Sequence, residues 1–167
     1  SKMDNTIIAT FGDMVRVPGS TSSLKKEKAK GADIRIVYSP LQALEIANEY
    51  PDKRVILIGV GFEPTAPLLA SVVLEARERL ISNFYLLSLC KLMPPVIKTL
   101  LDSREVNIDG MLCPGHVSAI IGTDPYKFIP ECYGISCVIA GFEPVDILRA
   151  IFHLIIQKVE KAPKVEN

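Results

Sequence analysis

The sequence has 167 residues, 49% of them hydrophobic, and its 19 basic residues balance 19 acidic ones. This composition predicts a soluble globular chain of one domain or slightly more. The densest basic run, residues 24–30, contains no aromatic ring that could stack on a base, so we expect no nucleic acid partner. The longest apolar run, residues 150–156, is interrupted by His153 and falls short of the roughly 20 residues of a membrane span, so we expect no membrane association.

Runs of β-branched and apolar residues alternate with helix-like segments along the whole chain. The predicted strands are 5–11, 33–39, 54–60, 83–89, 108–113 and 136–141. The predicted helices lie near 22–30, 40–50, 64–81, 93–103, 117–130 and 144–161. This alternation predicts an α/β fold with a doubly wound, mostly parallel sheet of about five or six strands and helices on both faces.

The ends of the chain indicate that it is a fragment of a longer protein. Residues 1–22 are expected to provide a strand and a loop that belong to a preceding α/β domain. Residues 31–160 are expected to form an α/β domain, and residues 161–167 a polar tail.

The four cysteines are Cys90, Cys113, Cys132 and Cys137. They form no C-x-x-C pair, and no histidine stands at the spacing of a zinc site. This pattern predicts free thiols, buried or half-buried, in a cytoplasmic protein.

The sequence Gly-Phe-Glu-Pro follows two of the predicted strands, at 61–64 and again at 141–144. Glycine permits a sharp turn, and a residue before proline is held extended, as an N-cap residue must be. Glutamate is a weak N-cap, so its repeated use indicates another target for the carboxylates of Glu63 and Glu143. The simpler interpretation is a favourable charge at a helix N-terminus, contributing about 0.3–1 kcal/mol each.

Two further loops between a strand and a helix carry polar side chains. In the loop at 10–20, Asp13 precedes Arg16 by three residues, and a local ion pair is the simpler interpretation. In the loop at 113–122, His116 and Ser118 open a helix, and a hydrogen-bonded turn histidine is the simpler interpretation. Right-handed crossovers place such loops at the carboxyl edge of a parallel sheet, so we expect all four loops to share one edge.

The candidate catalytic residues at this edge are Glu63, His116, Asp13 and Arg16. The candidate cofactor-binding residues are Gly12, Asp13, Arg16, Pro18, Gly19, Ser20, Gly61, Phe62, Glu63, Thr65, Pro114, Gly115, His116, Ser118, Gly141, Phe142, Glu143, Pro144 and Asp146. The segment at 59–64 has Pro64 in place of the third glycine of a dinucleotide fingerprint, and neither a phosphate-binding loop nor a nucleophile elbow is present.

Five segments in order carry a resemblance to a known family: TFGDMVRVPGS (10–20), GADIRIVYSPLQAL (31–44), GVGFEPTAP (59–67), PGHVSAIIG (114–122) and VIAGFEPVDIL (138–148). From about Asn5 to Asn167 the chain closely resembles the HypD family of hydrogenase maturation factors. It differs at Pro64, Cys90 and Cys137, where threonine, histidine and proline are common in that family.

The resemblance implies a scaffold that helps to assemble the Fe(CN)2CO unit of [NiFe]-hydrogenases together with HypC and other hydrogenase maturation proteins. It also implies iron and a 4Fe-4S cluster in full-length members, held by cysteine motifs that this sequence lacks. Low-valent iron calls for soft thiolate ligands. We therefore expect no cofactor and no metal ligand in this fragment.

Two functions stay open. The first is a maturation scaffold, which would have a redox role in the full-length protein. This fragment alone is then expected to be inactive. The second is an α/β enzyme that binds a small molecule and uses Glu63 and His116 as acid and base.

Overall fold

The structure is a computed structural model that describes residues 5–103 and 105–167. These residues form two compact units. The first contains the chain up to Gly61 together with Thr65–Cys90, and the second contains Phe62–Pro64 and Lys91–Asn167. Each unit has its own parallel sheet and its own hydrophobic core. The predicted α/β class is confirmed, but the strands divide into sheets of four and three instead of one sheet of about five or six.

The first unit is built on a four-stranded parallel sheet with the order β2-β1-β3-β4. Its strands are β1 (Thr6–Thr10), β2 (Ile34–Ile36), β3 (Arg54–Gly59) and β4 (Phe84–Ser88). Its helices are α1 (Leu24–Ala29), α2 (Pro40–Glu49) and α3 (Ala66–Glu78), with a 3-10 helix at Met14–Arg16. In β3, buried residues alternate with less buried ones, as the period of two along a strand requires.

Capping and one asparagine position α2 in the first unit. The Ser39 hydroxyl accepts a hydrogen bond from the Leu41 amide at 3.1 Å, and Pro40 occupies the first helical turn. The Asn83 side-chain amide lies within hydrogen-bond distance of the carbonyl oxygens of Ala47, Tyr50 and Lys53, at 2.9, 3.1 and 2.8 Å. Because Asn83 directly precedes β4, these bonds connect the end of α2 to the start of that strand.

The second unit is built on a three-stranded parallel sheet with the order β5-β6-β7. Its strands are β5 (Gly110–Pro114), β6 (Ser136–Ala140) and β7 (Val165–Glu166). Its helices are α4 (Met93–Asp102), α5 (Gly115–Ile121), α6 (Phe128–Tyr133) and α7 (Pro144–Glu160), with a 3-10 helix at Asp124–Tyr126. A further 3-10 helix, Glu63–Thr65, directly precedes α3 along the chain.

Two features of the second unit differ from the predicted elements. The prediction of a single helix at 117–130 is wrong, because α5 ends at Ile121. Gly122 follows with a positive φ of 77°, and the chain then continues into a 3-10 turn and α6. The strand β7 lies within the segment expected to be a tail and pairs with β6.

In the first unit, β1 lies between β2 and β3.

Helix α7 leaves a stripe of apolar residues exposed. The residues it buries are Ala150 and Gln157. Five large apolar residues are between 56% and 76% exposed: Val145, Leu148, Phe152, Ile155 and Val159. Their spacing of three and four residues places them on one side of the helix. None of the helices in the described ranges combines the length and apolar character of a transmembrane segment.

Candidate functional site

Two of the predicted loops meet at the carboxyl edge of the second sheet. His116 lies directly after β5, and Phe142 follows β6. Their rings are in contact, with centroids 5.0 Å apart and planes inclined by 57°. Both residues are exposed, Phe142 to 68%. An imidazole and a phenyl ring therefore form one accessible surface from two separate sequence motifs.

Glycine is needed where these loops approach each other. A Cβ atom at Gly115 would lie 2.7 Å from the Ala140 carbonyl oxygen, which is closer than real side chains come. A Cβ atom at Gly141 would collide with the carboxylate of Asp146 in the first turn of α7. The two glycines thus permit the close packing that places His116 beside Phe142.

Glu143 has the extended backbone of an N-cap residue, with φ −70° and ψ 144°, and Pro144 begins α7 behind it. Its side chain makes no capping hydrogen bond and is exposed. In the preceding loop, Pro114 is the N-cap residue of α5, and the Ser118 hydroxyl donates a hydrogen bond back to the Pro114 carbonyl oxygen at 3.0 Å. The carboxylate of Glu143 is therefore directed at solvent, as the poor capping ability of glutamate suggests.

A cleft of about 290 Å³ lies beside the second of these loops. Ionisable side chains in its lining include Asp146, Arg149, His153 and Glu166. The His153 Nδ1 atom lies 3.1 Å from a Glu166 carboxylate oxygen. The hydrogen bond from the Gln157 amide lowers the pKa of Glu166, and the charge of Lys164 acts in the same direction. The cleft therefore has a polar, charged lining.

Glu63, in the first Gly-Phe-Glu-Pro segment, has a different environment from Glu143. Its side chain is buried, with 6% exposed. Its Oε1 atom accepts a hydrogen bond from the Met93 amide at 2.8 Å, and Met93 is the first residue of α4. Glu63 thus stabilises the positive end of a helix 30 residues further along the chain. The two repeats share a sequence but not a role.

Two buried polar atoms of the second unit lack a hydrogen-bond partner among the described atoms: the Oε2 of Glu63 and the hydroxyl of Tyr126. Burial raises the pKa of Tyr126, and nearby Cys113 and Glu63 add to the increase. No sequence motif had singled out Tyr126. Tyr126 lies in the 3-10 turn after Gly122. The sequence analysis predicted one continuous helix here and therefore did not predict this turn.

The first unit carries the loop after β1. The Asp13 carboxylate accepts a hydrogen bond from the Met14 amide at 2.9 Å and begins the 3-10 helix that contains Arg16. Beyond it, the Gly19 amide donates to the Ser22 carbonyl oxygen at 2.7 Å, closing a turn. This turn belongs to a cleft of about 400 Å³ whose lining includes the candidates Arg16, Pro18, Gly19 and Ser20. Gly12 lies at the start of the loop, next to the Ile36 side chain.

The first Gly-Phe-Glu-Pro segment is divided between the units. Gly61 and Thr65 belong to the first unit, where the Thr65 side chain occupies the space that a Cβ atom at Gly61 would need. Phe62, which is exposed, and Glu63, which is buried, belong to the second unit. The expectation that all four loops share the edge of one sheet is therefore corrected, because the loops follow strands of two separate sheets. The loops after β5 and β6 are joined by the contact between His116 and Phe142.

Metal-binding side chains do not cluster in the ranges 5–103 and 105–167. These residues include no group of three or more His, Cys, Asp or Glu side chains that could hold a metal ion. All four cysteines are free: Cys113 and Cys137 are buried, Cys90 is half-buried, and Cys132 is exposed. The prediction of buried or half-buried thiols is thus wrong for Cys132.

Known proteins related to this chain are hydrogenase maturation factors. The HypD family model, described as "Hydrogenase formation hypA family", matches residues 1–167. The hydrogenase maturation factors HypD of Escherichia coli (strain K12) and Rhodobacter capsulatus are each 45% identical over 161 residues, which cover 96% of this chain and 43% of the relative. The one of Cupriavidus necator is 44% identical over 170 residues, covering 98% of this chain and 45% of the relative.

The chain spans less than half of the length of these curated relatives, between 43% and 45%. The match nevertheless extends over nearly all of the present sequence, including the segments 59–67, 114–122 and 138–148 that contain the loops described above. On this evidence the chain belongs to the HypD family.

Proposed function

We propose that this chain is part of a hydrogenase maturation scaffold that helps to assemble the Fe(CN)2CO unit of [NiFe]-hydrogenases together with HypC. The observation that supports this most is the contact between His116 and Phe142. It joins two motif loops into an exposed surface that also carries Glu143. An exposed aromatic ring with polar neighbours is typical of a protein-binding surface.

Iron is the cargo of the proposed assembly. The described residues offer no cluster of side chains suited to bind it, so we assign no ligand role to this chain. We propose that this chain contributes by contacting its partner HypC and positioning it for the assembly. Phe142 would insert into an apolar depression of the partner, while His116 and Glu143 would pair with polar groups at its rim. The free thiol of exposed Cys132 fits a reducing compartment, and the cytoplasmic location stays a prediction.

The proposal can be tested by complementation of an Escherichia coli strain from which HypD has been deleted. The matched segment of the Escherichia coli relative is replaced by this chain, and hydrogenase activity is measured. We expect the chimera to restore activity, and Phe142→Ala and His116→Ala each to reduce both activity and recovery of HypC in pull-down experiments. Both side chains are exposed, so the melting temperature should change little.

Leu148→Ala is a matched control, since it removes an equally exposed apolar side chain outside the two loops. The proposal would be contradicted if both loop variants matured hydrogenase and bound HypC like the unmodified chimera. Failure of the unmodified chimera, next to a working Escherichia coli protein, would also count against it.

The alternative enzyme would need Glu63 and His116 to act on one substrate. Glu63 is buried and its Oε1 is bonded to the Met93 amide, whereas His116 is exposed against Phe142. No observation in the described residues favours this alternative over the scaffold.

A further inference from the structure

Two buried cysteines of the second unit lie next to each other on neighbouring strands. Cys113 is in β5 and Cys137 in β6, and their sulfur atoms are 3.3 Å apart, so that one thiol can donate its S–H to the other. In the parallel register, Met111 pairs with Cys137 and Cys113 with Ile139. The two cysteines are therefore offset by two residues and, because side chains alternate along a strand, point to the same face.

The surroundings of the pair are apolar and closed. Cys113 is 1% and Cys137 0% exposed, and both belong to a core cluster with Val117 and Ile129. The hydrogen bond to Cys137 and burial raise the pKa of Cys113, whereas the same hydrogen bond lowers the pKa of Cys137. The other two cysteines have different settings, since Cys90 lies near the Gly59 carbonyl oxygen and Cys132 is exposed.

We propose that Cys113 and Cys137 form a dithiol site that hydrogen peroxide oxidises to an internal disulfide joining β5 to β6. The sulfur atoms are already 3.3 Å apart, so they need to approach by only about 1.3 Å to reach the bond length of about 2.0 Å. Because the two residues are offset along the strands and buried, bond closure also requires a small adjustment of β5 and β6, and peroxide reaches the pair through local opening of the core.

The oxidation proceeds in two balanced steps. First, one thiol loses its proton and its thiolate sulfur attacks a peroxide oxygen; the O–O bond breaks, the departing hydroxide takes up the released proton, and the products are a sulfenic acid and water. Second, the other thiol attacks the sulfenic sulfur, the S–O bond breaks, the S–S bond forms, and the hydroxyl group leaves as water with the second proton. The two thiols lose two electrons and two protons, and the peroxide becomes two waters.

The experiment uses the whole chain, reduced and then exposed to hydrogen peroxide in native buffer. After quenching, the protein is denatured and alkylated with N-ethylmaleimide, and intact mass and peptide maps are recorded. We expect a species that has lost two alkylation sites and the mass of two hydrogen atoms, with one linked peptide pair containing Cys113 and Cys137. Dithiothreitol should restore both sites.

The variant Cys90→Ser with Cys132→Ser keeps only the proposed pair and should give the same product without dimers. Adding Cys113→Ala or Cys137→Ala to it should abolish the two-site loss, and circular dichroism would verify that the protein is folded. Three results would overturn the proposal: both thiols still alkylated after peroxide treatment, separate sulfinic acids without a linked peptide, or a linked peptide that forms only in urea.

Discussion

At the scale of single residues, Glu63 provides a carboxylate that accepts a hydrogen bond from a backbone amide at a helix N-terminus. Its Oε1 accepts from Met93 at the start of α4 within a buried setting. This partly agrees with the simpler interpretation of its motif, since the carboxylate does lie at a helix N-terminus, although that helix is α4. The same interpretation does not extend to Glu143, whose exposed side chain makes no capping bond.

Two substitutions of Glu63 distinguish the contribution of its charge to stability from that of its hydrogen-bond acceptor. Glu63→Gln keeps an oxygen that can accept from Met93 and loses about 0.3–1 kcal/mol of charge–dipole energy, a shift of a few degrees in melting temperature. Glu63→Ala also removes the acceptor and should cost about 1–3 kcal/mol, because a buried amide is left unpaired. Thermal unfolding followed by circular dichroism measures both values.

The chimera described above tests the same residue for function. We expect Glu63→Gln to reduce hydrogenase maturation severely despite its small effect on stability. Glu143→Gln is the matched substitution in an exposed copy of the motif and should leave the melting temperature unchanged. Normal maturation by both single variants and the double variant would show that neither carboxylate is functional.

Asp33 links stability of the first unit to pH. Its carboxylate accepts hydrogen bonds from the Arg35 guanidinium at 3.0 and 3.2 Å and from Lys53 at 3.2 Å. The Arg35 hydrogen bond is the main cause that lowers the pKa of Asp33 below its ordinary value of 3.8. A carboxyl whose pKa is lowered on folding stabilises the protein above its unfolded-state pKa, and this contribution is lost as the pH falls through the folded-state pKa.

We therefore expect Asp33→Asn to lower the free energy of unfolding by less than about 1 kcal/mol at neutral pH, since the ion pairs are partly exposed. The difference from the unmodified protein should shrink at pH values below 3.8. Urea unfolding across this range measures it, with the exposed Glu49→Gln as control. A difference that grows toward low pH would contradict the assignment.

At the scale of elements, the sequence pattern of α7 does not predict how this helix is oriented. An amphipathic helix ordinarily turns its apolar side to the sheet that it covers. Here the buried positions are Ala150 and Gln157, and Gln157 bonds to the Lys164 amide and the Glu166 carboxylate at 3.1 and 3.0 Å. These bonds connect α7 to the segment that forms β7, which pairs with β6, and they satisfy the polar side chain that α7 buries.

The orientation of α7 predicts opposite outcomes for two similar substitutions. Ala150→Glu places a charge and extra volume in a buried position and should lower the free energy of unfolding by at least about 2 kcal/mol. Phe152→Glu lies on the exposed side and should change it by no more than about 0.5 kcal/mol. Chemical denaturation of both variants provides the comparison. A larger loss from Phe152→Glu than from Ala150→Glu would mean that the helix is turned the other way.

At the scale of the whole molecule, the described residues form two units with separate sheets. Both sheets are parallel and both follow the β–α alternation, so each unit has its own carboxyl edge with its own loops. The loop with Asp13 and Arg16 belongs to the first unit, and those with His116 and Phe142 belong to the second. The chain covers less than half of its curated relatives, so the role of these edges in a complete maturation factor is part of the proposal.

The sequence by itself determined the α/β class, the parallel pairing of its strands and the family, because these depend on local periodicity and on motifs in order along the chain. It also identified the strand-to-helix loops that hold His116 and Phe142. Only the tertiary structure decided the division into two sheets, the burial of Glu63 under α4, the inward polar side of α7 and the approach of Cys113 to Cys137. Each of these depends on which distant segments pack together, and a local pattern carries no signal for partners 24 or 30 residues away.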